Sequence, residues 1–207
     1  MPQSPAIIFD AFGTLLDIRQ PRHPYRQLLK LGKAQGRQPL ANDTRTLMQH
    51  ALDLAQAAEH LGIDLTPAQL ADLQQALQEE LASTVPYPDG LQAVALLQQH
   101  GLRVGVCSNL AAPYRQAIVE HYPTLDAYSF SCDLGVMKPD AAIYRITCES
   151  LGVLPEHTFM IGDSQRCDQQ GPAVLGIRGL YLDRSGRAGD YPELAGFARQ
   201  IIHSAKI

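Results

Sequence analysis

Four groups of polar residues in this chain each follow a short apolar run. Ala6–Phe9 is followed by Asp10, Gly13 and Thr14, and Val104–Cys107 by Ser108 and Asn109. Tyr128–Ser131 is followed, after a gap, by Lys138-Pro139. Thr158–Ile161 is followed by Gly162-Asp163-Ser164, with Asp168 close behind. Asp163 and Asp168 suit a hard divalent cation such as Mg²⁺, which takes oxygen ligands, keeps several waters and needs only one or two carboxylates. Lys138 can set a fixed positive charge against Asp10 and an anionic ligand. The hydroxyls of Thr14 and Ser108 can donate hydrogen bonds, the Asn109 amide can position a polar group, and Gly13 allows a sharp turn beside Asp10. Plainer readings stand beside these. Asp, Thr or Asn after a strand is commonly a turn or cap residue, and Asp168 could cap a helix running to Leu175. Lys138 could be a solvated lysine at a helix start, although a cation gains nothing from the dipole there.

The apolar runs are the elements that must position these groups. A fifth is Gly179–Leu182. Short runs without alternation suit strands buried on both faces, as in a parallel sheet. Helical segments lie between the last four, which is the pattern of βαβ units and of an α/β, Rossmann-like core. In such sheets ligands bind beyond the carboxyl ends of the strands, so three acids, two hydroxyls and a lysine are expected at one sheet edge. Thr66-Pro67-Ala68-Gln69 is a capping box that opens a helix carrying Leu70, Leu73, Leu77 and Leu81. Gly101 ends a helix opened near Asp89, and Gly152 ends one opened at Pro139.

The βαβ rhythm breaks from about Asp17 to Val85, where no strand is expected. Leu47, Ala51, Leu54, Ala55, Ala58 and Leu61 trace one helical face. The expected organisation is a core of residues 1–16 and 87–207, with an all-helical cap of residues 17–86 inserted into it. The insertion reads either as a helical subdomain that adds core or as a lid. The lid reading is favoured because it leaves right after the first polar group and returns at the hinge-like Pro86-Tyr87-Pro88-Asp89-Gly90.

Composition narrows the classes. With 45% hydrophobic residues among 207, the chain can bury a core. A net charge of −4 argues against a nucleic-acid partner. No apolar run reaches eighteen residues, so no membrane span is expected. Met1–Pro5 has neither a charged n-region nor an apolar h-region, so no signal peptide is expected. Cys107, Cys132, Cys148 and Cys167 form no metal or redox spacing and read as free thiols in a reducing cytoplasm.

Taken together, the four groups resemble the motifs of the haloacid dehalogenase-like (HAD) hydrolase superfamily, in the family's order. They are Phe9-Asp10-Ala11-Phe12-Gly13-Thr14-Leu15, the strand ending Ser108-Asn109, Lys138-Pro139, and Gly162-Asp163-Ser164-Gln165-Arg166-Cys167-Asp168. The helical insertion sits where the family's type 1 cap sits. The resemblance implies that Asp10 is a carboxylate nucleophile forming a covalent intermediate, assisted by Thr14, Ser108 and Lys138. It implies substrate contacts from Phe12, Gly13 and Asn109. It also implies a Mg²⁺ site of Asp10, the Phe12 carbonyl and Asp163, with Asp168 joining directly or through water. The substrate would be a small anionic molecule.

One departure divides the family's chemistries. Phosphatases of the family usually carry a second aspartate two residues after the nucleophile, whereas this chain has Phe12, which moves no proton. General acid–base help is worth roughly 10²–10⁴-fold in rate. A halide leaves without a proton, and the family's 2-haloacid dehalogenases carry an aromatic residue there. Tyr144 also matches a tyrosine common in them, or else packs on the sheet. Asp163 points the other way, because dehalogenases need no metal and usually have Ser/Asn at that place. The expectation is a Mg²⁺-dependent phosphatase-like hydrolase acting on aryl or acyl phosphates. The alternatives are a 2-haloacid dehalogenase and a phospho-ligand-binding protein of the same fold. A dehalogenase would need a cap arginine, for which Arg19, Arg22, Arg26, Arg37 and Arg45 are the candidates.

Overall fold

A computed structural model describes residues 5–205. Met1–Ser4, which make up most of the stretch read as lacking a leader, lie outside the described residues, as do Lys206 and Ile207. The five apolar runs form five parallel strands: β1 (Ala6–Phe9), β4 (Arg103–Ser108), β5 (Ala127–Phe130), β6 (Thr158–Gly162) and β7 (Arg178–Tyr181). Two short strands, β2 (Leu16–Ile18) and β3 (Thr84–Pro86), complete the set. The sheet order is β5-β4-β1-β6-β7, so β1 is central, paired with β4 and β6.

All four β1 side chains are fully buried. Alternation sends Ile7 and Phe9 into one core layer, with Val104, Val106 and Phe197. Ala6 and Ile8 enter the other, with Cys107, Ile143, Tyr144 and Met160. Each large apolar side chain so buried contributes roughly 1.5–3 kcal/mol. The helices of these layers are α5 (Pro88–Gln99), α6 (Arg115–His121), α7 (Ser131–Leu134), α8 (Ala141–Leu151), α9 (Gly171–Ala173) and α10 (Leu194–Ala205). Gly152 ends α8 in the left-handed conformation (φ 64°), as its position after the last apolar residue predicts.

Between β2 and β3 lie α1 (Pro24–Ala34), α2 (Asp43–Gln49), α3 (Leu54–His60) and α4 (Pro67–Ala82), which share a separate apolar cluster around Leu28, Leu47, Leu54, Ala58 and Leu73. The Thr66–Gln69 capping box is present at the start of α4. Two expectations need correction, and one alternative reading is excluded. First, the region expected to lack strands is bounded by β2 and β3, which pair antiparallel through Leu16↔Pro86 and Ile18↔Thr84. At three residues each, and with a proline at the end, they leave no periodic signal. Second, the face drawn from Leu47 to Leu61 is not one helix. The chain is extended at His50, and Asp53 restarts it with its own capping box to Gln56. In consequence Ala51 and Ala55 are exposed, and Ala57 turns inward instead. Third, Asp168 caps no helix. It lies inside a wide helical turn over Gln165–Gln170, which Ser164 caps by accepting the Cys167 N–H.

A bidentate ion pair ties this helical unit together. The Arg37 guanidinium meets both oxygens of Asp43 at 2.7 and 2.6 Å and donates to the Leu61 carbonyl at 2.7 Å. Arg37 holds the Asp43 carboxyl below the usual carboxylate range, against the opposing effect of burial. A depressed native pKa adds stability that is complete above the unfolded value and is lost as the pH falls through the native one. Asp43→Asn is therefore expected to cost about 2–3 kcal/mol at pH 7. The deficit should shrink as the pH is lowered from about 4, measured by denaturant unfolding at several pH values.

Candidate active site

The carboxyl ends of the strands bring the four polar groups to one place. Asp10 follows β1 directly, and its N–H donates to the Ile161 carbonyl of β6 at 3.0 Å, which fixes where the side chain starts. Asp10 Oδ1 accepts from Lys138 Nζ at 2.7 Å and from Ser108 Oγ at 3.4 Å. Thr14 Oγ1 reaches Oδ2 at 3.4 Å. Lys138 also donates to Asp168 Oδ1 at 2.7 Å, and Asp168 Oδ2 accepts the Ser164 N–H at 3.0 Å. Carboxylate oxygens of Asp10, Asp163 and Asp168 lie within 4.8 Å of one another. Asp10 and Asp163 are therefore neighbours, as expected, although 153 residues separate them in the chain.

Lys138 is 3% exposed, which rules out the solvated reading. Burial alone would lower its pKa, but Asp10 and Asp168 override it and hold the ammonium well above its usual range. The Asp163 carboxyl is pushed up to about 6, by loss of solvation first and then by the charges of Asp10 and Asp168. The residue as a whole is exposed, yet its carboxyl turns inward. A Cβ on Gly13 would lie 2.2 Å from its Oδ2, so only glycine (φ 85°) fits beside it. Burial likewise raises Asp168 to about 6, against the pull of Lys138. Three carboxylates against one ammonium leave a formal charge of −2, and this all-oxygen donor set matches a hard divalent cation.

Asn109 and Tyr144 also serve the packing around the site. Both ends of the Asn109 amide are engaged by the Lys138 backbone. Its Oδ1 accepts the Lys138 N–H at 2.8 Å and its Nδ2 donates to the Lys138 carbonyl at 2.9 Å, so Asn109 holds the lysine loop. Tyr144 packs fully buried in the core and donates to the Cys167 carbonyl at 2.5 Å, which is the sheet-packing reading.

The cleft at Asp10 (about 190 Å³) also includes Cys167 and Ser164. A second cavity of about 340 Å³ lies between the core and the helical unit and shares Phe12 and Asn109 with the first. Its walls are largely apolar and aromatic: Tyr114 meets Phe12 edge-on at 5.7 Å and Tyr25 at 6.4 Å. Of the five candidate arginines, Arg26 alone lines it, and no ion pair to Arg26 is found among the described residues. Arg19, Arg22, Arg37 and Arg45 are paired with Asp17, Glu79, Asp43 and Asp140.

The sequence reading missed Glu80. It is 3% exposed on the cavity wall and accepts N–H groups of Arg22 and His23 and the Tyr114 hydroxyl at 2.6 Å. Its place on the Leu73/Leu77 face of α4 was the available signal. Arg184, which grips the Gly13–Thr14 turn, was also missed. Asp-Arg-Ser-Gly after a strand reads as an ordinary turn.

The haloacid dehalogenase-like hydrolase family model matches residues 5–176, and the chain belongs to that family. It is 30% identical to (S)-2-haloacid dehalogenase 4A of Burkholderia cepacia, over 95% of this chain and 90% of that protein. It is 25% identical to phosphoserine phosphatase of Thermus thermophilus, over 60% of this chain and 51% of that protein. Among solved structures, a HAD phosphatase from Thermococcus onnurineus aligns with a TM-score of 0.65 at 21% identity, covering 95% of this chain and 97% of the other. The protein is thus a hydrolase with relatives in both chemistries. The mostly parallel fold is the family's, and no described helix is long and apolar enough to cross a membrane.

A cation held here would need Asp163 and Asp168 as carboxylates, so protons would compete with it. Mg²⁺ affinity measured by titration calorimetry is expected to be constant at neutral pH. It should fall by about tenfold or more per pH unit below about 6. In Asp163→Asn, affinity should drop at every pH.

Proposed function

We propose that the protein is a Mg²⁺-dependent phosphatase with Asp10 as nucleophile, and that the helical unit of residues 17–86 acts as its cap. The observation that carries this reading is the inward-facing Asp163 carboxyl beside Asp10 and Asp168. A third carboxylate there is a standing cost unless a cation neutralises it. Asp10, Asp163 and the Phe12 carbonyl would hold the ion, with Asp168 behind them. When bound, it would supply charge neutralisation and Lewis-acid activation of the phosphoryl group.

The protein's own groups do the rest. Lys138 and Ser108 anchor Asp10 Oδ1, which leaves Oδ2, met among the described residues by the Thr14 hydroxyl, free to attack phosphorus. The phosphorus–oxygen bond to the leaving group breaks as an aspartyl phosphate forms. Water then attacks that phosphorus, which releases phosphate and restores the carboxylate. Lys138 offsets charge on the transferring group throughout. Phe12 gives the leaving group no proton, so leaving groups stable as anions are favoured, namely aryl and acyl phosphates. The cavity beyond Phe12, walled by Tyr25 and Tyr114, has room and apolar surface for such a body. The site's setting is expected to be cytoplasmic.

Phe12 and the unpaired Arg26 favour a second reading, a 2-haloacid dehalogenase. There Asp10 Oδ2 would displace halide from carbon, forming an ester that water hydrolyses. Arg26, which lines the cavity, would meet the anion.

A paired assay separates these readings. The expected result is p-nitrophenyl phosphate hydrolysis that needs Mg²⁺ and is abolished by EDTA, with no halide release from 2-haloacids. Asp10→Asn should remove at least about 10³-fold of the turnover. Phe12→Asp should raise the rate on alkyl relative to aryl phosphates by roughly 10–100-fold, because it restores an acid. Metal-independent halide release would replace the phosphatase reading with the dehalogenase one. Phosphate-mimic binding without turnover would leave a ligand-binding protein.

A further inference from the structure

Arg184 belongs to none of the four polar groups, yet its guanidinium touches two separate segments at the base of the helical unit. It lies in the loop after β7. Its Nε donates to the Gly13 carbonyl at 3.3 Å and its Nη2 to the Thr14 carbonyl at 2.6 Å. Its Nη1 reaches both oxygens of Asp89 at 3.1 Å, and the guanidinium carbon sits 3.7 Å above the centre of the Tyr87 ring. Gly13 and Thr14 lie on the stretch by which the chain leaves the core for the helical unit. Tyr87 and Asp89 lie where it returns. Asp89 in turn accepts the Leu194 N–H at 2.7 Å, which binds the assembly to the start of α10.

We propose that Arg184 is a positioning residue of the active site, locking the Gly13–Thr14 turn to the returning linker so that the nucleophile's loop keeps its shape when the helical unit moves. This rests on the reading of Asp10 as nucleophile. Thr14 puts its hydroxyl on Asp10, and Gly13 presses its backbone against Asp163. Both peptides that set these contacts have carbonyls held by Arg184, and no other donor to either carbonyl is found among the described residues. Below the clamp, the Tyr87 N–H donates to the Leu15 carbonyl at 2.9 Å, so the two linkers are already joined at the core edge. Movement is thereby displaced to the β2–β3 ribbon beyond them. Only arginine suits the place. A planar fork with five N–H donors can bridge two carbonyls and a carboxylate while stacking on a ring, whereas a lysine ammonium serves one or two of these partners.

The test compares wild type with Arg184→Lys, which keeps the charge facing Asp89. Amide hydrogen exchange should rise by about tenfold or more at residues 13–16, 87 and 89 while β4 and β6 stay protected, because the clamp acts locally. With p-nitrophenyl phosphate and Mg²⁺, kcat should fall by roughly 10–100-fold with KM changed by less than about threefold, as expected when the reacting group is misplaced but binding survives. Unchanged exchange, or a rise spread evenly over the sheet, would overturn the proposal, the latter because it marks a merely stabilising contact. So would local loosening with kcat intact. If wild type hydrolyses no phosphate ester, the functional reading fails by itself, and the exchange measurement still decides whether the clamp exists.

Discussion

The Lys138 ammonium is buried between Asp10 and Asp168, at 2.7 Å from each, and offsets the repulsion between them. Two carboxylates taken from water and set side by side repel one another and lose solvation together. One shared cation relieves both effects, at the cost of fixing its own position closely. That position is built from the backbone: Asn109 grips the Lys138 peptide from both sides, so the loop after β5 is registered on the loop after β4. The charge left over, with Asp163 included, is what a bound divalent cation would meet.

The parallel sheet makes this convergence possible. Because β4, β1 and β6 are adjacent and point the same way, their carboxyl ends deliver Ser108, Asp10 and Asp163 to one edge without any long excursion of the chain. The cores on both sheet faces hold these strands rigidly, so side chains positioned by strand ends inherit that rigidity. The helical unit has its own apolar cluster and meets the core through short linkers, the Phe12–Tyr114–Tyr25 contacts, the Tyr114–Glu80 hydrogen bond and the packing of α2 on α7, where Gln49 donates to the Gly135 carbonyl and Arg45 pairs with Asp140. A second cationic side chain, Arg184, works on those linkers much as Lys138 works on the acids. Each is an arrangement in which one cation replaces several weaker ties.

What could be read from the sequence follows from which interactions are local. Runs such as Ala6–Phe9 and Thr158–Ile161 announce strands because burial on both faces demands apolar residues at every position. Their carboxyl ends then locate Asp10 and Asp163. The Thr66 and Gly152 helix boundaries are equally local. The break between α2 and α3 was hidden because apolar spacing ran across it while Asp53 restarted the helix. Glu80 and Arg184 were hidden for another reason. Their partners lie 34 to 171 residues away, and no spacing in the chain reports such contacts.

Phe12 and Asp163 pull toward different chemistries, and charge decides how they can coexist. A 2-haloacid is an anion, as is a phosphate ester. Either would enter a cleft whose fixed groups sum to −2 and would be repelled unless something positive accompanied it. Arg26 lines the cavity shared through Phe12 and makes no ion pair with the acids among the described residues. A cation held by Asp163 would offset their charge. The carboxylate therefore makes the site hospitable to anions only when it is loaded, and this favours phosphoryl transfer. On the proposed reading, Phe12 would limit that transfer to leaving groups that need no proton. On this view the two residues define a narrower activity instead of contradicting one another.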